Sequence, residues 1–358
     1  MITAIKRKEA FIKLGAILTD YSSSNPSFSK IKDKSFQNIL DDAVQLSSEN
    51  NPWFTANNIN KAISAIGHSL TESGLTNWLS GYKEDLSVTH HPQTIGVVMA
   101  GNIPMVGFHD MLCVLISGNK LNAKLSNDDR FLLPALYQIL MKLEPTLGDQ
   151  VTFTTDQLHR FDAVIATGSN NSARYFEFYF RNYPHIIRKN RNGLAILSGS
   201  ETKQQLIALG EDVFAYFGLG CRNVSKILLP QNYQIATLLD TWEPYSYLAN
   251  HSRYMNNYSY RKNVYLINAM PHFDNGFVLL LPSDAFSAPI GVVNFSYYEP
   301  DFAFQSYLEN NRLSIQCIVG GDSTHPQHVD YGNSQQPYLW DYADGVDTIK
   351  FLLSLRVM

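Results

Sequence analysis

The chain has 358 residues, 45% of them apolar and 17% charged, with a net charge of −4. That length asks for two domains and the apolar share for packed cores, while the charge offers no basic field for nucleic acid. Three widely spaced cysteines do not make a disulfide framework, and residues 1–13 carry charge without the apolar core of a secretory signal, so a cytoplasmic chain is predicted. No apolar run has the length of a bilayer span.

Residues 1–88 read as helices. Ile12, Ile17 and Leu18 form one apolar stripe, and Ile39, Leu40, Val44 and Leu46 another. Thr55 fits as N-cap of a helix carrying Ile59, Ile63 and Ile66. The Ser-, Asn- and Pro-rich stretch at 22–29 reads as a boundary or exposed connection, and nothing in this layer carries chemistry.

From Thr94 the pattern alternates between strand and helix. Strands are predicted at 95–99, 121–125, 151–154 and 162–167, with helices at the apolar stretch ending at Ile116, at 131–143, and from Asn170 to Phe180. This alternation predicts a mostly parallel sheet with helices on both faces and ligands at the carboxyl ends of its strands. A strand at 194–197 and a helix lead to Cys221. A second α/β block follows, with strands at 224–229, 264–267, 276–281, 291–295 and 313–319, then a polar tail at 323–347 and a last apolar stretch at 349–355.

The segment Phe217-Gly218-Leu219-Gly220-Cys221-Arg222-Asn223 stands out. Two glycines permit a tight turn, a cysteine on it is accessible, and Arg222 favours its thiolate. Cys113 and Cys317 sit in apolar periodic patterns and read as core. At a strand's carboxyl end the Asn102 amide is suited to donate to a developing oxyanion, although an ordinary turn Asn has the same position. Gly168 and Ser169 lie where a strand turns into a helix, a place for a pyrophosphate or for a plain N-cap. Lys124 ends a strand and can reach a ribose or phosphate, or solvent. His90, His91, His325 and His328 lack partners at metal-ligand spacing, so no metal site is expected. No GxSxG elbow supports a serine hydrolase.

In this order the pieces resemble the aldehyde dehydrogenase superfamily, and within it the long-chain acyl-CoA reductases of bacterial luminescence systems (LuxC-like). The likeness runs from about residue 94 to residue 319. Ala100-Gly101-Asn102-Ile103-Pro104 is similar to the segment holding the oxyanion-hole Asn. Residues 118–126 resemble the segment whose lysine, here Lys124, contacts the cofactor's adenine-side ribose. Thr167-Gly168-Ser169 matches the turn near the pyrophosphate, and Gly220-Cys221 the nucleophile turn. His-Ser-Arg-Tyr-Met-Asn-Asn-Tyr-Ser-Tyr at 251–260 is typical of the acyl-CoA reductase branch, and Ala288-Pro289-Ile290 is similar to a Gly-Pro-Val segment near the nicotinamide.

Two departures matter. Counting back from Leu194-Ala195-Ile196-Leu197, the superfamily's general-base Glu falls near Arg188, which argues against hydrolysis of an acyl-enzyme. The Glu that holds the nicotinamide ribose is also missing; Ala285 stands there, beside Asp284.

The resemblance implies an aldehyde-dehydrogenase-like α/β fold with two doubly wound parallel-sheet domains and an N-terminal helical segment. Expected domains are a helical segment at 1–88, a cofactor domain at 89–210, a catalytic domain at 211–322 and an oligomerisation tail at 323–358. The implied reaction is NADPH-dependent reduction of a long-chain acyl-CoA to the aldehyde through Cys221 and Asn102, with NADH not excluded. His251 and His272 are candidate proton donors. A homodimer or larger assembly is expected, with no nucleic-acid partner. The alternatives are an NAD-dependent aldehyde dehydrogenase and a degenerate relative that binds acyl groups or a partner without turnover.

Overall fold

The structure is a computed structural model and describes residues 3–23, 33–88 and 91–355. The expected connection at 22–29 and His90 fall largely or wholly outside these residues. The chain forms two compact units, one of residues 1–189 and 337–358 and a second of residues 190–336. The break at 189/190 precedes the domain boundary expected at 210/211.

The first unit begins with α1 (Ala4–Ser22), α2 (Lys34–Asn50), α3 (Ala56–Ser69), α4 (Glu72–Ser80) and α5 (Lys83–Ser87). Thr3, Asp33, Thr55 and Thr71 cap the first four, each accepting a hydrogen bond from a backbone N–H in the first turn. Phe11, Leu14 and Leu18 of α1 and Ile59 and Ile63 of α3 have no exposed surface. Next come β1 (Thr94–Val98), α6 (Phe108–Ile116), β2 (Lys120–Lys124), α7 (Leu132–Leu143), β3 (Val151–Thr154), β4 (Ala163–Thr167), α8 (Asn170–Phe180) and β5 (His185–Arg188). All five strands pair in parallel, in the order β3-β2-β1-β4-β5. The interior of β4 is fully buried, as expected of a strand covered on both faces. Chain order reverses at β1, so a ligand crevice belongs at the carboxyl ends of β1 and its neighbours.

The second unit contains β6 (Asn192–Ile196), α9 (Lys203–Phe214), β7 (Val224–Pro230), α10 (Ile235–Thr241), α11 (Ser252–Ile267), β8 (Phe273–Asp274), β9 (Leu279–Pro282), β10 (Val292–Tyr298), α12 (Phe304–Asn310), β11 (Ile315–Gly320) and β12 (His328–Val329). Its sheet runs β12-β11-β6-β7-β10-β9-β8, parallel except for the antiparallel β8-β9 pair. The strand expected at 264–267 is instead the last turn of α11. Tyr258 and Tyr265, seven residues apart on that helix, pack on Leu279, Leu281 and Val292, whereas Leu266 and Ile267 stay exposed. The strand expected from Gly276 starts at Leu279, because Gly276 turns with φ +95°.

The tail returns to the first unit. There α13 (Thr348–Ser354) packs on α6 and buries Ile349, Leu352 and Leu353. Two ties reinforce it: Trp78 Nε1 donates to Tyr342 Oη at 2.7 Å, and Tyr82 Oη donates to Asp347 at 2.6 Å. Of the stretch expected to serve oligomerisation, residues 337–358 thus pack on the first unit, while Tyr338, Trp340 and Val346 stay exposed.

Candidate active site

In the second unit, α9 ends at Phe214 and the backbone turns left-handed for three residues, Tyr216 (φ 51°), Phe217 (φ 59°) and Gly218 (φ 75°). Only the glycine adopts this region without steric cost, so Tyr216 and Phe217 are held there by their surroundings. Both are buried, and the Phe217 ring lies on His251 with centroids 4.2 Å apart. A four-residue turn follows, closed by the Asn223 N–H donating to Gly220 O at 3.0 Å. Cys221 is its second residue and is exposed; Cys113 and Cys317 are buried.

One side chain pins this turn. Asn223 is buried, and its Oδ1 accepts from Gly220 N at 2.8 Å. Its Nδ2 lies within hydrogen-bond distance of the carbonyls of Asp212 (3.0 Å), Val213 (3.3 Å) and Ala215 (3.0 Å). The amide thus ties the Cys221 turn to the end of α9. Arg222 Nε donates to Ser334 O at 2.6 Å, and the backbone N–H groups of Gly332 and Ser334 donate to Asp212. Burial pushes the Asp212 carboxyl up to about 6 against those two donors. From below, Gly193 N donates to Asn223 O at 2.9 Å. A Cβ at Gly193 would lie 2.7 Å from Arg222 O, so only glycine lets β6 approach so closely.

The segment Ala288-Pro289-Ile290 shares a small cavity of about 30 Å³ with Phe217, Gly218 and Tyr254, room for about one water. Beside it, Asn294 Nδ2 donates to Ala285 O at 2.9 Å and Ser287 O at 3.1 Å. Lys226, fully buried on β7, donates to Ser283 O and Ser296 Oγ, and Ser296 Oγ donates to Asp284 at 2.7 Å. Burial lowers the Lys226 ammonium to about 8. The loop at 283–287 is thus braced by a lysine and an asparagine.

The two histidine candidates separate. His251 caps α11, its Nδ1 accepting from Tyr254 N at 3.2 Å, and its ring lies on Phe217. His272 lies past the other end of this 16-residue helix, about 24 Å along its axis, with Nδ1 2.8 Å from Met270 O.

In the first unit, Asn102 is exposed on the β1–α6 loop, Lys124 ends β2, and Gly168 and Ser169 follow β4. Since β2, β1 and β4 are adjacent and parallel, all four residues fall at carboxyl ends around the point where chain order reverses. Ser169 caps α8 through Ser172 N at 3.2 Å. Lys124 Nζ donates to Thr155 O at 2.8 Å and Asp156 O at 3.2 Å.

The Asn102 loop has its own brace. Met105 has φ 57°, and its N–H donates to the buried Asp129 at 2.6 Å. Burial raises the Asp129 carboxyl to about 7, and among the described residues its other oxygen has no hydrogen-bond partner. Arg188, near which the resemblance puts a general base, is itself buried: NH1 pairs with Asp110 at 2.7 Å and NH2 donates to Thr348 at 3.0 Å. Asn223, Asp129 and Lys226 gave no signal in the sequence, since nothing local distinguishes a bracing polar residue from a surface one.

The fold is that of the aldehyde dehydrogenases. Aldehyde dehydrogenase 21 from Physcomitrella patens, solved with the reaction product succinate, is 11% identical with TM-score 0.65, covering 99% of this chain and 85% of that one. An aldehyde dehydrogenase from Bacillus cereus, solved with NAD+, is 11% identical with TM-score 0.59, covering 89% and 72%. Indole-3-acetaldehyde dehydrogenase from P. syringae, solved as a mutant with NAD+ and IAA, is 11% identical with TM-score 0.58, covering 91% and 74%. Among curated proteins none matches the chain. The family described as Acyl-CoA reductase (LuxC) matches residues 24–234, more than half the chain, and the chain belongs to that family. It is an aldehyde-forming oxidoreductase.

Proposed function

We propose that the chain reduces the thioester of a long-chain acyl-CoA to the aldehyde through an acyl group carried on Cys221. The observation that supports this most is the exposed thiol on a turn pinned by Asn223, in a chain of the acyl-CoA reductase family. The Cys221 thiolate attacks the thioester carbonyl, a sulfur–carbon bond forms, and the carbonyl electron pair moves onto oxygen. The Cys221 backbone N–H and, by the family resemblance, the Asn102 amide donate to that oxyanion. Collapse expels the CoA thiolate and leaves a thioester on Sγ. A reduced nicotinamide, when held by Lys124, Gly168 and Ser169, would supply hydride to that thioester; breakdown of the thiohemiacetal on Sγ releases aldehyde and restores the thiol. Of the two histidines, His251 is the proton donor we favour, because it lies on Phe217 beside the turn.

The chain's residues fit a nicotinamide dinucleotide. Ser169 heads α8, where backbone N–H groups suit a pyrophosphate, and glycine at 168 lets the turn approach Ser172 and Phe176 of that helix. Gly168, Ser169 and Lys124 would hold it. The Bacillus cereus neighbour was solved with NAD+; the preference for NADPH here rests on the family resemblance.

Arg188 opposes the hydrolytic alternative, because a guanidinium buried on Asp110 cannot activate water. Absorbance at the reduced-nicotinamide band, with a chain-length series of acyl-CoAs and with NADPH or NADH, tests the proposal. Consumption with acyl-CoA is expected. Formation of NADH from aldehyde and NAD alone would replace it with the hydrolytic reading, and inertness in both directions with a binding role.

A further inference from the structure

The first unit holds a cavity of about 1100 Å³ that no step above uses. Pro92, Asn119 and Gln150 in its wall stand just before β1, β2 and β3, at the amino ends of the sheet. Asn102, Lys124 and Gly168 lie at the carboxyl ends, a strand length of about 15 Å away. The remaining wall comes from α1, α4, α5, the end of α6 and the turn at Pro145–Leu147.

The lining has two characters. Ile5, Leu79, Leu86, Val88, Leu115 and Leu147 make it largely apolar, and Ile5 and Val88 leave 68% and 60% of their surface exposed. Such side chains at a cavity wall mark a surface that gains by being covered. Lys6, Arg7, Lys8 and Lys83 supply four cations, and among the described lining residues none is acidic. Two cations are held in place: Arg7 Nε donates to Ile116 O at 3.1 Å and Lys8 Nζ to Thr76 Oγ1 at 3.1 Å. The Glu144 carboxylate lies outside the lining; its hydrogen bonds from Thr146, and then Lys6 and Lys13, hold it below the usual carboxylate range. A neutral lipid would leave these cations unused, and a compact phosphate would leave the apolar walls uncovered.

We propose that this cavity binds a single-chain anionic amphiphile of the alkyl carboxylate class, its tail on the apolar wall and its head among Lys6, Lys8 and Lys83. The volume exceeds the roughly 300–1,000 Å³ of ordinary small-molecule pockets, so a long chain fits. This site is independent of the reading of Cys221.

Titration calorimetry of the full chain with octanoate, decanoate and dodecanoate, all below micelle formation, tests the proposal. Affinity should rise about fourfold per added methylene. The exposed-site double variant Lys6→Glu/Lys83→Glu should bind dodecanoate roughly tenfold or more weakly, about the worth of one hydrogen bond to a charged group. Dodecyltrimethylammonium should bind wild type more weakly than dodecanoate, and the double variant should reverse that order. Reduction of acyl-CoA in the absence of carboxylate should be the same in both proteins. Equal dodecanoate affinity in the two proteins, or equal affinity for the cationic chain, would overturn the proposal, as would no binding at all. A wild-type dimer that Ile5→Asp/Val88→Asp turns into monomer would also overturn it, by showing that a second copy covers the cavity.

Discussion

Three polar side chains decide how the candidate catalytic loops are held. Asn223 is the clearest, because one amide spans the Cys221 turn and the end of α9. Asn223→Ala should cost about 1–3 kcal/mol for each buried group left unsatisfied. It should also slow acyl transfer to Cys221 while labelling by a small maleimide persists; unchanged acylation would remove Asn223 from the site's support. Asn102→Ala should lower kcat by roughly 10²–10³ with the melting temperature unchanged, as loss of one oxyanion donor does. Near-normal kcat would leave Asn102 as a turn residue. With Cys221→Ala, intact-mass spectrometry should find no acyl group on the chain, while Cys113→Ala and Cys317→Ser should still carry one. Ser is chosen at 317 to retain a donor to Arg222 O.

Asp129 gives a pH prediction. Its folded carboxyl titrates near 7, above the unfolded value of about 3.9. Between those values the folded state binds more protons, so this group makes stability fall as pH rises through the window, by up to about 1.4 kcal/mol per pH unit. Asp129→Asn keeps an acceptor for Met105 N–H and removes the charge, so denaturant midpoints should decline less from pH 4 to 7 than in wild type. Identical slopes would place the titration elsewhere.

Among the elements, β5, α6 and α13 meet at the Arg188–Asp110–Thr348 cluster. The sequence identified Arg188 only as a base that is absent. Packing shows what it does instead, and such a buried pair is costly to break from one side. Arg188→Met should destabilise the chain by about 3–5 kcal/mol, and adding Asp110→Leu should recover part of that loss. An undiminished melting temperature in the single variant would show that the pair is solvated. The short helix α13 illustrates the same limit. Its apolar run at 349–355 was evident, but its partner, α6, lies more than two hundred residues earlier in the chain.

For the whole molecule, the packing of the tail bears on assembly. Beside the tail, another surface is available for the homodimer we expect. Leu266, Ile267, Met270 and Phe273 are exposed together where α11 leads into the edge strand β8. Edge strands with apolar neighbours invite pairing. Light scattering at micromolar concentration should give a dimer, and Ile267→Asp/Phe273→Asp a monomer; a wild-type monomer would refute the expectation. Among the described residues no helix is long and apolar enough to cross a membrane.

What the sequence determined by itself was local or periodic. The order of strands and helices through residue 180, the Thr55 cap, the helix start at Ser169 and the two buried cysteines all follow from side-chain spacing and capping chemistry within a few residues. The short motifs around Asn102, Lys124, Gly168 and Cys221 stand out because their order along the chain resembles that of a known family. The tertiary structure alone decided that 264–267 is helical, that the tail folds back, and that Asn223, Asp129 and Lys226 brace the loops. Each of those outcomes depends on a partner distant in sequence. Burial against that partner, rather than local propensity, sets whether an apolar run is helix or strand and whether a polar side chain is solvated or structural.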